Sequence, residues 1–241
     1  MRAVRVLAIV HQPDAGPGVF ADAIRHAGSR LDSWQLPQSP EPPDDPLAYD
    51  AVMTFGGAMH PSQLEEHPWL VREKELLGEL LDRVPLLGVC LGSQLVAEAA
   101  GADAHRADTP EIGWCRVETT DEAASDPLLG PLAPGFEALE WHSYEAPLPP
   151  GAVALARTDG CLQAYRVGDT AWGIQFHAEV TLADFEAWLD DYRSDPDAVA
   201  VGVDPERLRS QTRAAIADWN RLGRDLCTRF LAVAAPSSRM C

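Results

Sequence analysis

Cations are scarce in this chain: 19 Lys and Arg stand against 37 Asp and Glu, a formal net charge of −18 over 241 residues. Affinity for nucleic acid comes largely from cations meeting phosphates, so a surface this acidic excludes DNA or RNA as a general partner. The same field opposes docking on anionic membranes, and the charge serves solubility instead. Cysteines are few and scattered, at positions 90, 115, 161, 227 and 241, with no C-x-x-C pair. An odd count at irregular spacing excludes a disulfide framework and a cysteine-rich zinc site, and neither metal nor other cofactor is expected. Long hydrophobic runs are missing too. The apolar stretch that starts Met-Arg-Ala-Val-Arg-Val-Leu-Ala-Ile-Val reaches His11 and Pro13 at once. It is too short to span a membrane and lacks a following small-residue cleavage pattern, so it reads as a first buried strand in a cytoplasmic protein.

What remains is an ordinary globular composition, 46% hydrophobic and 23% charged, long enough for one generous α/β domain or a domain with a modest appendage. Periodicity predicts a helix from Val19 to Arg30, a short strand from Ser33 to Leu36 and a proline-rich surface loop from Pro37 to Pro46. Ala51 to Phe55 is an apolar strand running into Gly56-Gly57. Trp69, Leu70, Leu76, Leu77, Leu80 and Leu81 recur at helical spacing between Pro68 and Arg83. Leu86 to Val89 is a further buried strand, and Leu91 to Ala100 a compact helix closed by Gly101. The second half changes rhythm, with strand-like runs near 112–119, 136–142, 152–157, 161–167 and 170–176, then helical patterns at 181–193 and 204–234. Short continuous apolar strands alternating with helices imply a mostly parallel, doubly wound α/β sheet covered on both faces. Some later strands extend that sheet and others form an antiparallel addition. The segment from Ser194 to Val203 is a joint before the final long helix.

The most informative segment is Leu86-Leu87-Gly88-Val89-Cys90-Leu91-Gly92-Ser93-Gln94. It sets Cys90 in a G-x-C-x-G frame where a buried strand ends and a helix starts, the geometry of a nucleophile elbow. So tight a turn leaves no room for flanking side chains, which Gly88 and Gly92 satisfy. The helix N-terminus adds free backbone N–H groups and a partial positive charge that suits a nucleophilic sulfur. A nucleophile needs a base, and the base an orienter. In Trp172-Gly173-Ile174-Gln175-Phe176-His177-Ala178-Glu179 an apolar strand runs out into His-x-Glu. Residues two apart on an extended chain share a side, so Glu179 can hold the imidazole of His177. Parallel sheets gather active groups at strand carboxyl ends, which brings Cys90 and His177 together across the sequence. For a developing oxyanion, the N–H groups of Gly57 and Leu91 are the candidate donors.

The Gly-Gly loop after a strand, the Gly-Val-Cys-Leu-Gly-Ser-Gln elbow and the late Gln-Phe-His-Ala-Glu together resemble the class I, triad-type glutamine amidotransferases. The nearest likeness is to stand-alone proteins similar to the glutaminase domain of GMP synthase. The apolar residues of the final helix predict that a C-terminal helical extension, 193–241, packs on the rest of the chain; the resemblance runs over about residues 2–192 and implies an amidotransferase-like domain over 1–192. It further implies a flavodoxin-like fold and hydrolysis of the glutamine side-chain amide through a cysteine thioester. Cys90 would be nucleophile, His177 general base and acid, and Glu179 its orienter. Gln94 matches an elbow glutamine that helps hold the substrate, and His142-Ser143-Tyr144 the segment whose backbone receives the substrate α-carboxylate. The chain departs from the family pattern at Ser93, where many members carry His, at Ala178 for the usual Pro, and at Ser143-Tyr144, where related stand-alone members have Gly-Asp. It carries no G-x-x-x-x-G-K-[ST] and no Ser-Gly-Gly-Val-Asp-Ser-like loop for ATP. Ammonia would therefore pass to a separate synthase subunit, or hydrolysis of a γ-glutamyl peptide or conjugate is itself the purpose. A non-catalytic regulatory module on the same fold is the remaining alternative.

Overall fold

The computed structural model describes residues 3–235. Met1 and Arg2 of the expected first domain, and residues 236–241 of the expected extension, Cys241 among them, lie outside the described residues. One sheet is built from β1 (Arg5–Val10), β2 (Arg30–Gln35), β3 (Ala51–Thr54), β4 (Leu86–Val89), β5 (His105–Thr119), β6 (Gly135–Glu145), β7 (Val153–Arg157), β8 (Leu162–Val167) and β9 (Ala171–Ile174). Its order is β2-β1-β3-β4-β9-β8-β7-β5-β6. The run from β2 to β9 is parallel throughout, in the flavodoxin-like arrangement. Beyond β9 every pairing is antiparallel.

Burial on both faces explains the apolar strands. Every residue of β3 and β4 is buried. In β1 the alternation divides the core: Val6, Ala8 and Val10 join the cluster on one face, Leu7 and Ile9 the cluster on the other. The first face is covered by α1 (Gly18–His26), α4 (Leu182–Asp190) and α6 (Pro205–Ala234), through side chains such as Phe20, Phe185, Trp219 and Phe230. The second is covered by α2 (Trp69–Leu80) and α3 (Leu91–Ala99), through Leu70, Leu77, Leu95 and Val96.

Several element limits differ from the sequence expectation, each for a local reason. Helix α1 stops before Gly28, whose φ of 68° turns the chain left-handed, and the Arg30 N–H is taken by the Val4 carbonyl. Strand β2 thus begins at Arg30 rather than Ser33. Strand β5 starts at His105, well before 112, and its early polar half pairs with β6 across a register break between Arg106 and Glu111. The helix expected over 181–193 ends at Asp190 and passes into a single 3-10 turn. The segment read as a joint contains a short helix, α5 (Pro196–Ala200), capped by the Asp195 carboxylate.

Candidate active site

Cys90 stands between β4 and α3 with φ 52° and ψ −112°. A β-carbon in that left-handed region costs on the order of 1–3 kcal/mol, which surrounding structure must offset. The Cys90 N–H donates to the Ile174 carbonyl of β9 and its own carbonyl accepts from Gln94 N–H. The two flanking glycines are sterically required. A Cβ on Gly88 would lie 2.5 Å from the Gly92 carbonyl oxygen, and one on Gly92 only 2.2 Å from that of Thr54. The elbow is therefore pressed between β3 and its own first helical turn, and the sulfur, 3.9 Å from the Trp141 carbonyl oxygen of β6, is held at one place.

That place is the end of β9. His177 Nδ1 lies 2.8 Å from Glu179 Oε1, and the imidazole interacts electrostatically with the Cys90 sulfur. His177 and Glu179 are 3% and 1% exposed, Cys90 6%, so the three groups share a nearly dry environment. Burial works against the imidazolium, but the charges of Glu179 and the Cys90 sulfur prevail and hold His177 well above an ordinary imidazole. Trp188 packs edge-on against the ring at 4.7 Å, and Gly56 backs it, since a Cβ there would sit 3.1 Å from His177 Cε1.

The backbone carrying His177 and Glu179 is gripped by an early helix and a late one. Trp219 Nε1 of α6 donates to the His177 carbonyl at 2.8 Å, and Asn220 Nδ2 to that of Val180 at 2.8 Å. Gly223 lies so close that a Cβ would fall 2.0 Å from the Ala178 carbonyl oxygen. At the start of α1, Val19 N–H donates to the Glu179 carbonyl at 2.8 Å. These contacts had no signal in the sequence, where α6 showed only amphipathic spacing.

Gly57 and Leu91 both line the cavity that opens over Cys90. Among the described residues neither N–H donates to a protein acceptor, so both are free for an oxygen of a bound molecule. Gln94 Nε2 donates to the Tyr144 carbonyl at 2.8 Å and to Gln175 Oε1 at 3.1 Å. It holds the 142–144 segment in place while also lining the cavity. The Ser143 hydroxyl reaches Asp197. Tyr144 stacks on His60, ring centroids 3.9 Å apart. The His142 side chain turns inward: Nδ1 donates to the Tyr144 carbonyl, and Nε2 sits 3.2 Å from Glu111 and 3.4 Å from Glu140.

Glu111, Glu140 and Cys161 are residues that sequence reasoning missed, lying on β5, on β6 and just before β8 with no local pattern. Glu111, His142 and Cys161 bring a carboxylate, an imidazole and a thiol within 4.8 Å of one another. Burial opposes the His142 cation, yet the two carboxylates push it up to about 10. Burial raises Glu140, whose oxygens have no hydrogen-bond partner among the described residues.

The cavity holds about 320 Å³ and is walled by Trp141, Tyr144, Trp188 and Tyr192, with Asp14, Asp191, Asp195 and Asp197 among its lining residues. A buried thiol at a strained elbow, an imidazole beside it and a carboxylate behind that can perform acyl transfer, given free N–H groups on residues that line the same space.

Comparison with known proteins identifies the family. A family model for the class-I glutamine amidotransferases matches residues 18–191. The glutamine amidotransferase-like protein YfeJ of Salmonella typhimurium is 29% identical over 192 residues, covering 77% of this chain and 80% of that protein. A glutamine-hydrolyzing GMP synthase subunit of Sulfurisphaera tokodaii is 34% identical over 151 residues, 59% of this chain and 74% of its own. A γ-glutamyl-L-1-hydroxyisopropylamide hydrolase from a Pseudomonas species is 30% identical over 153 residues, 59% of this chain and 51% of its own. Among solved structures, a glutamine amidotransferase of Thermotoga maritima superimposes with a TM-score of 0.86 at 28% identity, over 96% of this chain and 99% of that one. Among the described residues no helix is long and apolar enough to cross a membrane. With nearly three quarters of its length matched by the family model, this chain belongs to the class I glutamine amidotransferases.

Proposed function

We propose that the protein hydrolyses the side-chain amide of glutamine, releasing glutamate and ammonia. The observation that carries this reading is the meeting of the Cys90 elbow with the buried His177–Glu179 pair. Glu179 occupies Nδ1 of His177, which leaves Nε2 for the sulfur and the leaving group. The Cys90 thiolate attacks the amide carbon, and the oxygen that gains charge is received by the Gly57 and Leu91 N–H groups. Collapse expels ammonia, protonated by His177, and leaves a γ-glutamyl thioester. Water, deprotonated by His177, attacks that thioester, and the sulfur departs with glutamate formed. Gln94 and the 142–144 segment hold the amino-acid end of the substrate. The likeness to a glutamine-hydrolyzing GMP synthase subunit supports passage of ammonia to a separate synthase partner.

Two observations favour a second reading, hydrolysis of a γ-glutamyl amide or peptide. A cavity of about 320 Å³ has room for a leaving group larger than ammonia, and a relative named for such a hydrolase matches over much of the chain. A glutamine-mimicking diazo-ketone tests the shared chemistry: it should label Cys90 stoichiometrically and abolish turnover. Loss of activity with the label on Cys115, Cys161, Cys227 or Cys241 would overturn it. Glutamate release from glutamine and from a panel of γ-glutamyl amides, with the lone protein, then separates the two readings. Slow turnover of glutamine that rises with a synthase partner supports the amidotransferase, and fast turnover of a conjugate with glutamine ignored supports the hydrolase.

A further inference from the structure

Behind the Gly56-Gly57 loop lies a second histidine–carboxylate pair that the proposed mechanism does not use. His11 follows β1, and Glu73 projects inward from α2; both side chains are 0% exposed. Their Nε2 and Oε2 atoms are 2.8 Å apart. The other carboxylate oxygen of Glu73 accepts from the Thr54 hydroxyl at 2.6 Å, at the end of β3. His11 Nδ1 lies 3.1 Å from the Gly56 carbonyl oxygen, and the ring stacks on Trp69 at 5.1 Å with an interplanar angle of 12°. Both ring nitrogens thus face oxygen acceptors. A carbonyl oxygen can only accept, so Nδ1 carries a proton. Nε2 faces a carboxylate whose second oxygen already receives a hydroxyl proton, which favours an imidazolium bridging the two. Burial opposes that charge, but Glu73 and the carbonyls of Gly56 and Phe55 prevail and raise His11 above an ordinary imidazole.

The carbonyl that His11 holds belongs to the same peptide unit as the Gly57 N–H. A trans peptide is planar, with C=O and N–H pointing in opposite directions. Fixing the oxygen toward His11 therefore turns the Gly57 N–H away from it. Gly57 has no side chain to restrict this peptide, and a Cβ there would crowd Met59, His11 and Leu91 at 3.0–3.2 Å. We infer that the His11–Glu73 pair is a positioning device for the oxyanion site, clamping the Gly56–Gly57 peptide so that its N–H faces the substrate oxygen over Cys90. A charged donor on the carbonyl also polarises the peptide and makes its N–H a stronger donor, as in any hydrogen-bonded chain. The inference rests on the amide-hydrolysis reading for its catalytic consequence, but the clamp itself is a property of the protein alone.

Glu73→Gln is the direct test, because it keeps the shape and the Thr54 contact while removing the charge that holds the imidazolium. Losing a full oxyanion donor costs about 100- to 1000-fold, so loosening one should lower kcat by about 10- to 100-fold, with KM within about twofold. Alkylation of Cys90 by iodoacetamide, which needs no oxyanion donor, should keep its rate within about twofold. His11→Asn, whose amide can still donate to the Gly56 oxygen, should retain more turnover than His11→Ala. Equal losses in kcat and alkylation, a loss confined to KM, or unchanged kcat would each overturn the inference. NMR of the intact protein gives a readout free of any substrate. The wild type should show both His11 nitrogens protonated at neutral pH, and Glu73→Gln should move the Gly57 amide resonance. If neither holds, the clamp does not exist. If both hold while the wild type turns over no amide, the clamp stands and the functional reading falls.

Discussion

Cys90, His177 and Glu179 are held by different means, and their substitutions should fail differently. The cysteine is fixed by backbone strain and by the two glycines that leave it no alternative course. His177 is fixed by partners on every side, with Glu179 on Nδ1, Trp188 on its edge and Gly56 behind. Glu179 gives one oxygen to His177, and its other oxygen has no hydrogen-bond partner among the described residues. His177→Ala should therefore cut turnover to about 1% of wild type or less, since both the thiolate and the leaving amine rely on that ring. Glu179→Gln should lose less, about 10- to 100-fold, because ring orientation survives in part while the imidazolium loses its counter-charge. Steady-state kinetics on the preferred amide checks both, and near-normal rates in either variant would rule out the proposed roles. The residues of this site that were legible in the sequence are those marked by local grammar: a glycine-framed cysteine, a His-x-Glu after an apolar strand. Glu73, Glu111, Glu140 and Cys161 carry no such mark. Their neighbours in sequence look like ordinary surface or core, and only the fold brings them beside the site.

Helix α6 contributes no group to the proposed reaction, yet it closes on the segment that does. Its contact is set by Gly223, where the backbone of Ala178 comes within the radius of any side chain. Gly223→Ala would push the helix away from Ala178, breaking the Trp219 and Asn220 hydrogen bonds to the His177 and Val180 carbonyls. The expected outcome is a thermal destabilisation equivalent to about 3 kcal/mol and a fall in kcat. Gly78 of α2, with nothing within 4 Å of an added Cβ, supplies the control. Gly78→Ala should be neutral or stabilise by about 0.5–1 kcal/mol through helix propensity alone. Equal effects of the two substitutions would show that propensity, and not contact with Ala178, governs Gly223. The pattern of elements was readable from periodicity because buried strands such as β3 and β4 admit little but apolar residues. Limits were less readable where tertiary pairing overrode local pattern. The polar start of β5 is a strand only because β6 lies opposite, and β2 begins early because β1 offers it hydrogen bonds.

Taken whole, the molecule combines a net charge of −18 with an interior that keeps protons. His11, His177 and Glu140 all bind their protons more tightly when folded, and His142 is pushed up to about 10. In each case the stabilisation is complete below the unfolded group's ordinary value and is lost as pH climbs through the folded one. For the histidines the window opens near neutrality, and for His142 it extends to about 10. The folded chain therefore binds more protons than the unfolded chain at mildly alkaline pH, and stability falls as pH rises. Differential scanning calorimetry should show Tm dropping by roughly 5 °C or more between about pH 7 and pH 9.5, and a level or rising Tm would refute the assignment. On the acid side Glu111 and Asp197, held low by His142 and Arg106 against the cost of burial, lose their contribution as pH falls from the ordinary carboxylate range through their lowered folded values.

The grip of α6 on the His177 segment also has a consequence in time. A chain growing on the ribosome has all three proposed catalytic side chains once Glu179 has been made, and the span matched by the family model is complete at residue 191. Trp219, Asn220 and Gly223, which hold the backbone between them, come some thirty residues later. At about 5–20 residues per second, that leaves an interval of a few seconds in which the nucleophile exists and its base is not yet seated. On the proposed mechanism the new chain would stay inactive until α6 has been made and has closed on the His177 segment.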